Sequence, residues 1–472
     1  MLSKKIAYNT VIAAGTRIVG LVLSLIIIGF ITRHLGQVGF GYYATVLAFL
    51  YFFTVLADLG LYSICVRDIS RPKADEKKIV SNVFTLRLFA GLFIFGLAPL
   101  VVYFLPYPDQ VKIGVLIGTV GFWFLSNQQV LMGVFQKYLR MDKVAIAEFL
   151  GRVVHLGLVA FFIWQGKGFL FIVSASVGGA LVIFGLVLVF SQKYIPISFQ
   201  FDFSFWRSLL KKSLPLGLAA IFVLLYFKLD IIMLSLMKPP ADVGVYNLAY
   251  KILESLLFFP AMFVGLVMPL MSKYAFSVRK KFEEITQKAL DILLIFIAPM
   301  VIGTFFLSPK IIVLIAGPEF ILSAGVLNIL IIATGIIFLG VLFSNMIISL
   351  EKQKSLTYIY GIGAIVNLIA NFIFIPRYSY YGAAGTTVLT ELIVTVLMIV
   401  VLYQTLKIVP VFDSLIKYIL AGLTMALPLY FLGNWNLFIL GPLAILVYFA
   451  ALYLIGGIKK ADLKILIQKP KD

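Results

Sequence analysis

The chain reads as an all-α polytopic membrane protein with about fourteen transmembrane helices. Three observations predict this class. Apolar residues fill 62% of the 472 positions and charged residues only 12%, giving a mean hydropathy of +1.08, a composition that leaves a soluble fold no polar surface. Apolar runs of about 20 residues, the length a helix needs to cross the hydrocarbon at about 1.5 Å per residue, recur along the whole chain. Lysine and arginine, finally, gather in alternate connections between those runs.

The elements follow in order. The first run, Thr10–Ile31, comes after the basic start Lys4 and Lys5 and resembles a signal peptide. It is longer than the roughly 7–15 apolar residues of a signal segment and no small-x-small cleavage site follows, so a retained first helix is expected. Spans are then expected at Phe40–Leu61, Val83–Leu105, Val111–Val134, Val144–Trp164 and Phe169–Phe190. After a more polar connection they resume at Leu214–Met237, Val243–Leu270, Ala289–Leu307, Ala324–Leu350, Leu356–Ile375 and Gly382–Tyr403. Ile416–Leu432 and Leu437–Gly456 close the series. Ile311–Ala316, ended by Gly317 and Pro318, is too short to cross and is expected at the interface or as a dip into it.

Sidedness follows from the basic connections. Arg67 to Lys78, Lys137 to Lys143, Lys193 to Lys212, Lys273 to Lys288, Lys352 with Lys354, and Lys407 with Lys417 alternate with loops holding only Arg33, Lys112, Lys167, Lys238, Lys310 and Arg377. Positive residues mark the cytoplasmic side, so both termini are expected inside, in the cell membrane. The net charge of +19 is then a matter of topology and gives no reason to expect a nucleic-acid partner. The single cysteine, Cys65, excludes an internal disulfide and offers no metal cluster. No phosphate loop of the G-x-x-x-x-G-K-[ST] kind occurs, so nucleotide hydrolysis is not an expected energy source.

Charged side chains inside the spans carry the functional question. Arg17, Arg87, Arg152, Lys228 and Lys251 are joined there by Asp58, Glu148, Asp230, Glu254 and Glu391. Each costs about 2.5 kcal/mol or more in hydrocarbon, so such groups face a bundle interior or a water-filled cavity. Proteins that move charged solutes keep them, and so do enzymes that work at the membrane. The outer loops, a few residues each, leave little room for the acceptor site that a membrane glycosyl transfer enzyme needs.

A short echo runs through the chain. Leu35-Gly36-Gln37-Val38-Gly39-Phe40-Gly41-Tyr42-Tyr43-Ala44 is answered by Asp242-Val243-Gly244-Val245-Tyr246-Asn247-Leu248-Ala249, and more loosely by Tyr381-Gly382-Ala383-Ala384-Gly385. The first two copies open the second helix of each half, and repeated halves are a common transporter design. These segments, with Ala57-Asp58-Leu59-Gly60-Leu61 leading to Arg67-Asp68-Ile69-Ser70, and Asp230-Ile231-Ile232-Met233-Leu234 leading through Tyr246 to Lys251, resemble the polysaccharide-exporting flippases of the multidrug/oligosaccharidyl-lipid/polysaccharide exporter (MOP) superfamily.

The resemblance implies two six-helix bundles around a central cavity, at 1–200 and 201–404, with an additional helix pair and basic tail at 405–472. It also implies a polyprenyl-pyrophosphate oligosaccharide as substrate. The function expected is alternating-access flipping of that lipid from the cytoplasmic to the outer leaflet for surface polysaccharide assembly, with no enzymatic activity. Polysaccharide polymerases or glycosyltransferases are the expected protein partners. Cation-coupled multidrug export on the same fold is the nearer alternative, and it would favour an acidic cavity over a basic one.

Candidate substrate-binding residues are Arg17, Lys228 and Lys251. Lys228 and Lys251 fall at matching depths, roughly 14 and 12 Å below the outer surface, where two ammonium groups can hold a pyrophosphate. Lys251 can equally pair with Glu254 at i,i+3. Arg17 shares one helical face with Ala13, Gly20 and Ser24, and can snorkel to the inner phosphates instead. Asp230, Glu254, Glu391 and Asp58 are candidates for coupling or for ion pairs; Glu391, among Thr387, Thr390 and Thr395, reads as an ion site or as an acid satisfied by packing. No catalytic group, metal ligand or cofactor is expected, and Na⁺ or H⁺ is the expected coupling ion. Asn367 and Asn371, at i,i+4, suit hydrogen bonds to neighbouring helices more than sugar hydroxyls.

Overall fold

A computed structural model describes residues 2–407, 412 and 414–457, with side chains omitted at 2–14, 16, 17, 218 and 219. Among the described residues there are fourteen α-helices, one 3₁₀ turn and no strand. The helices are α1 (Leu2–Asp58), α2 (Leu61–Ile69), α3 (Glu76–Tyr103), α4 (Asp109–Lys137), α5 (Met141–Trp164), α6 (Phe169–Gln192) and α7 (Phe203–Met237). Then come α8 (Pro240–Leu256), α9 (Phe258–Tyr274), α10 (Arg279–Ala316), α11 (Leu322–Ser349), α12 (Gln353–Leu406), α13 (Leu415–Phe431) and α14 (Leu437–Leu454). Eleven helical stretches are long and apolar enough to cross a membrane, and α13 is a shorter apolar helix. The chain is a multi-pass membrane protein.

Two of these helices are too long for one crossing, and each breaks where the sequence places an outer turn. At 1.5 Å per residue the 57 residues of α1 would reach well beyond a bilayer core of about 30 Å. They bend at Gly36, where φ is 63°, in the left-handed region that glycine enters without steric cost. The 54-residue α12 bends at Ser379, with φ 50°, three residues before the glycine of the loose echo. Ile311–Ala316 differs from expectation. It is no separate dip but the last turns of α10, which runs through Pro309 to Ala316; the length of an apolar run could not reveal that the helix continues across a proline.

The described residues form two compact units. Unit 1 contains Met1–Asn247, Ile315–Gly317 and Asn367–Ala383; unit 2 contains Leu248–Leu314, Pro318–Val366 and Ala384–Asp472. Within unit 1, α6 packs on α4 and α5, α3 on α4, and α1 against α3, α4, α5 and α7. Within unit 2, α9 packs on α11 and α13 on α14.

The two close copies of the echo lie against each other in unit 1. A Cβ on Gly41 would stand 1.8 Å from the carbonyl oxygen of Pro240, and one on Gly244 would stand 2.3 Å from that of Gln37. At each of these two glycines the opposite backbone comes in where a side chain would not fit.

Unit 1 has two ends of different character. At one, the basic connections meet: Lys137 pairs with Glu76 at 2.6 Å and Lys78 with Asp202 at 2.9 Å, while Tyr138 donates to Glu76 at 2.7 Å. At the other, the sparse loops meet: His34 Nε2 lies 2.7 Å from the Lys167 carbonyl oxygen, Lys238 Nζ donates to that of Pro376 at 2.8 Å, and Ser379 donates to Asp242. Alternation in sequence has become separation in space.

Candidate functional site

Two acids of unit 1, the partly buried Asp58 and the buried Asp230, are held differently. Asp58 ends the second arm of α1 and accepts the backbone amides of Gly60 and Tyr62 at 3.2 Å each, turning the chain into α2. Its carboxylate also pairs with Arg87 of α3, whose side chain is completely buried. Arg87 donates further to Ser126 Oγ at 3.1 Å and Gln129 Oε1 at 2.9 Å on α4. A buried arginine needs a counter-charge and acceptors for its N–H groups; Asp58 supplies the charge at Nη1 and Ser126 and Gln129 take Nη2, while Nε is enclosed without a partner. Asp58 therefore sits in an ion pair joining α1, α3 and α4.

Asp230, on α7, is met by neutral groups from two other elements. Tyr246 of α8 donates its hydroxyl to Oδ2 at 3.1 Å, and Asn371 of α12 donates Nδ2 to Oδ1 at 2.6 Å. The same Asn371 Nδ2 reaches Asn367 Oδ1 at 2.9 Å. All four residues are buried, and Asn371 Oδ1 is enclosed without a hydrogen-bond partner. Two carboxylate and two amide oxygens thus crowd one buried spot, one of them unsatisfied. Hard oxygen donors of this kind suit a small hard cation or a proton.

The candidate cations fall as follows. Lys228, also on α7, places its ammonium 5.7 Å from the centroid of the Tyr51 ring of α1, a cation–π geometry. In unit 2, Lys251 and Glu254 of α8 pair at 2.7 Å, with about a third of each side chain exposed (32% and 30%). The side chain of Arg17 lies outside the described residues. One turn further along α1, however, the bare Cα of Gly20 accommodates the guanidinium of Arg152, whose Nη1 would stand 2.2 Å from a Cβ there. Part of the small-residue face expected to line a cavity is therefore covered by Arg152. Glu391 of unit 2 is buried in α12 beside Thr387, Thr390 and Thr395, which are buried too.

Residue spacing alone missed Tyr246 as a partner of Asp230. The signal available was the i,i+4 pair Asn367 and Asn371, which marks a polar face on a span; which acid that face meets depends on helix packing.

The family model described as "Polysaccharide biosynthesis protein" matches residues 2–275, more than half of the chain. The chain belongs to this family. A second model, MatE, matches residues 215–373. The family member is 22% identical to the "Probable low-salt glycan biosynthesis flippase Agl15" of Haloferax volcanii over 84% of this chain and 81% of that protein. It is likewise 22% identical to the uncharacterized membrane protein MJ1068 of Methanocaldococcus jannaschii, over 91% of each. In fold it is similar to the lipid II flippase MurJ in an inward closed conformation, with a TM-score of 0.75 at 16% identity, over 98% of this chain and 100% of that one. An inward-facing multidrug resistance MATE family transporter of the MOP superfamily follows, with a TM-score of 0.65 at 15% identity, over 84% and 99%. The chain is thus a multi-pass membrane protein of the polysaccharide biosynthesis family, with a fold like those of MurJ and the MATE transporter.

Proposed function

We propose that this family member flips a polyprenyl-pyrophosphate-linked oligosaccharide from the cytoplasmic to the outer leaflet by alternating access, for surface polysaccharide assembly. It sits in the cell membrane with both termini inside, and it works beside the glycosyltransferases or polymerase that make and use its substrate. The observation that carries the reading is cationic side chains kept within the spans of a glycan-flippase relative, Lys228 above all. The head group to be moved is hydrophilic and anionic; lysine replaces part of its lost hydration and attracts the pyrophosphate, while the lipid tail stays in the bilayer. Lys251 and Arg17 are read as further contacts. Two helix bundles at 1–200 and 201–404, with an added pair after them, would serve this cycle.

Asp230, Asn367 and Asn371 are read as the coupling site. They would hold Na⁺ or H⁺ by the carboxylate and by the enclosed amide oxygen of Asn371, and the ion gradient would drive the cycle. Glu391 is the second acid to test for this role.

The experiment is complementation in a host lacking its own flippase. Lys228→Ala is expected to stop surface polysaccharide export at near-normal protein abundance, and Lys228→Arg to restore part of it, since the charge is kept with a different shape. Full export by Lys228→Ala would overturn the role of the lysine. For the coupling site, Na⁺ or acid pH is expected to raise the melting temperature of the purified chain but not that of Asp230→Asn. A second reading, cation-coupled drug export, is favoured by the MatE match over residues 215–373. Drug resistance conferred without any surface glycan would select it.

A further inference from the structure

We infer that the connection between α6 and α7 is a docking surface for the anionic head groups of the membrane leaflet at that end of the protein. The underside of the connection is pinned. Alternate backbone amides of Ser198, Gln200 and Asp202 donate to Ser81 Oγ, Thr85 Oγ1 and Asn82 Oδ1 at 3.2, 3.1 and 3.0 Å. All three acceptors are buried on α3, and Asn82 also donates to Gln200 Oε1 at 2.9 Å. An extended segment laid on one polar stripe of a helix has a fixed outer face.

That outer face is aromatic. Phe199, Phe201 and Phe203 are 64%, 55% and 71% exposed. Their rings are gathered in one patch: Phe89 lies 6.5 and 5.6 Å from Phe199 and Phe201, and Trp206 lies 5.9 and 5.1 Å from Phe201 and Phe203. A loop immersed in water would not hold three phenylalanines outward on a rigid support.

The start of α7 adds charge. Its 35 residues exceed what a bilayer core of about 30 Å needs, and its apolar run begins only at Leu214, after Lys211 and Lys212. The turns before it expose Arg207, Lys211 and Lys212. Aromatic rings with adjacent basic residues are the composition of segments that lie in a membrane interface, the rings at the acyl boundary and the cations among anionic head groups. The one acid within the segment, Asp202, is already paired with Lys78. The occupant that fits both halves of the patch is therefore a phosphoanionic lipid surface.

The test uses the purified full chain in nanodiscs of phosphatidylcholine, alone or mixed with phosphatidylglycerol. The anionic mixture is expected to raise the melting temperature of the wild type by several degrees and to leave the triple variant R207Q/K211Q/K212Q unmoved. An equal rise in the variant, or no rise in the wild type, would overturn the proposal. So would a rise on adding soluble pyrophosphate to phosphatidylcholine discs that is lost in the triple variant, which would mark a soluble-anion site on the strap. A spin label at Phe201→Cys, with Cys65→Ala, gives a second measure. It is expected to be more accessible to oxygen than to an aqueous nickel chelate, and the reverse order would place the strap in water and refute the docking.

Discussion

Two acid–base pairs, one in each unit, show how differently an intramembrane charge can be used. The Asp58–Arg87 pair is closed: the arginine is fully buried, the acid is 18% exposed, and the guanidinium Nη2 is held by Ser126 and Gln129. The Lys251–Glu254 pair is an i,i+3 contact with about a third of each side chain open. A closed pair has no face to offer a solute, and removing one member strands a charge in low dielectric. An open pair is reached by solvent and can exchange its partner for a ligand. Burial of the counter-charge, more than the presence of charge in a span, separates structural ions from working ones.

The sharpest way to break this contrast is at Arg87. Arg87→Leu leaves Asp58 uncompensated beside Gln129 and Ser126, and is expected to cost about 3–5 kcal/mol. Protein abundance and the melting temperature in detergent should both collapse. The double variant with Asp58→Asn, which removes the buried charge and keeps one acceptor oxygen for the Gly60 or Tyr62 amide, is expected to recover part of the loss. Wild-type abundance in Arg87→Leu would remove the pair from the structural class and reopen Asp58 as a coupling residue.

A smaller effect on stability is expected at the open pair. Lys251→Ala should change stability by about 1 kcal/mol or less, because partly solvated pairs contribute little, yet reduce surface glycan export sharply. If Lys251 were only a tie to Glu254, the double variant Lys251→Ala/Glu254→Ala would recover export. Export that stays low in the double variant is the outcome the substrate role requires.

Class, helix count and the alternation of basic loops were legible because each follows from local composition at a known period. The kink at Gly36 was legible too, since a glycine-rich turn between apolar runs has one physical meaning. Three things were not. The continuation of α10 through Pro309 runs against proline's usual effect on a helix, so the local pattern reads as an end. The pairing of Asp58 with Arg87, 29 positions away, and the meeting of Asp230 with Asn371, 141 positions away, are set by helix packing. Sequence named all four residues but could not join them. The echo was visible as a repeat, whereas its meaning, reciprocal close approach of Gly41 to Pro240 and Gly244 to Gln37, is a tertiary fact.

The third and most exposed pair, Lys78–Asp202, extends the contrast to its weak limit. Asp202 accepts the backbone amide of Phe205 at 2.9 Å and meets Lys78 Nζ at 2.9 Å. The amide, and then the ammonium, hold its carboxyl below the usual aspartate range. An acid whose folded value is depressed stabilises the native arrangement above its ordinary value of about 3.9, and that contribution fades as pH falls through the folded value. The start of α7 is therefore expected to loosen below about pH 4. Hydrogen exchange at Ser198, Gln200 and Phe205, corrected for the intrinsic rate, should rise on acidification. Asp202→Asn is expected to abolish the pH dependence and to shift global melting very little, because solvent screens a pair this exposed.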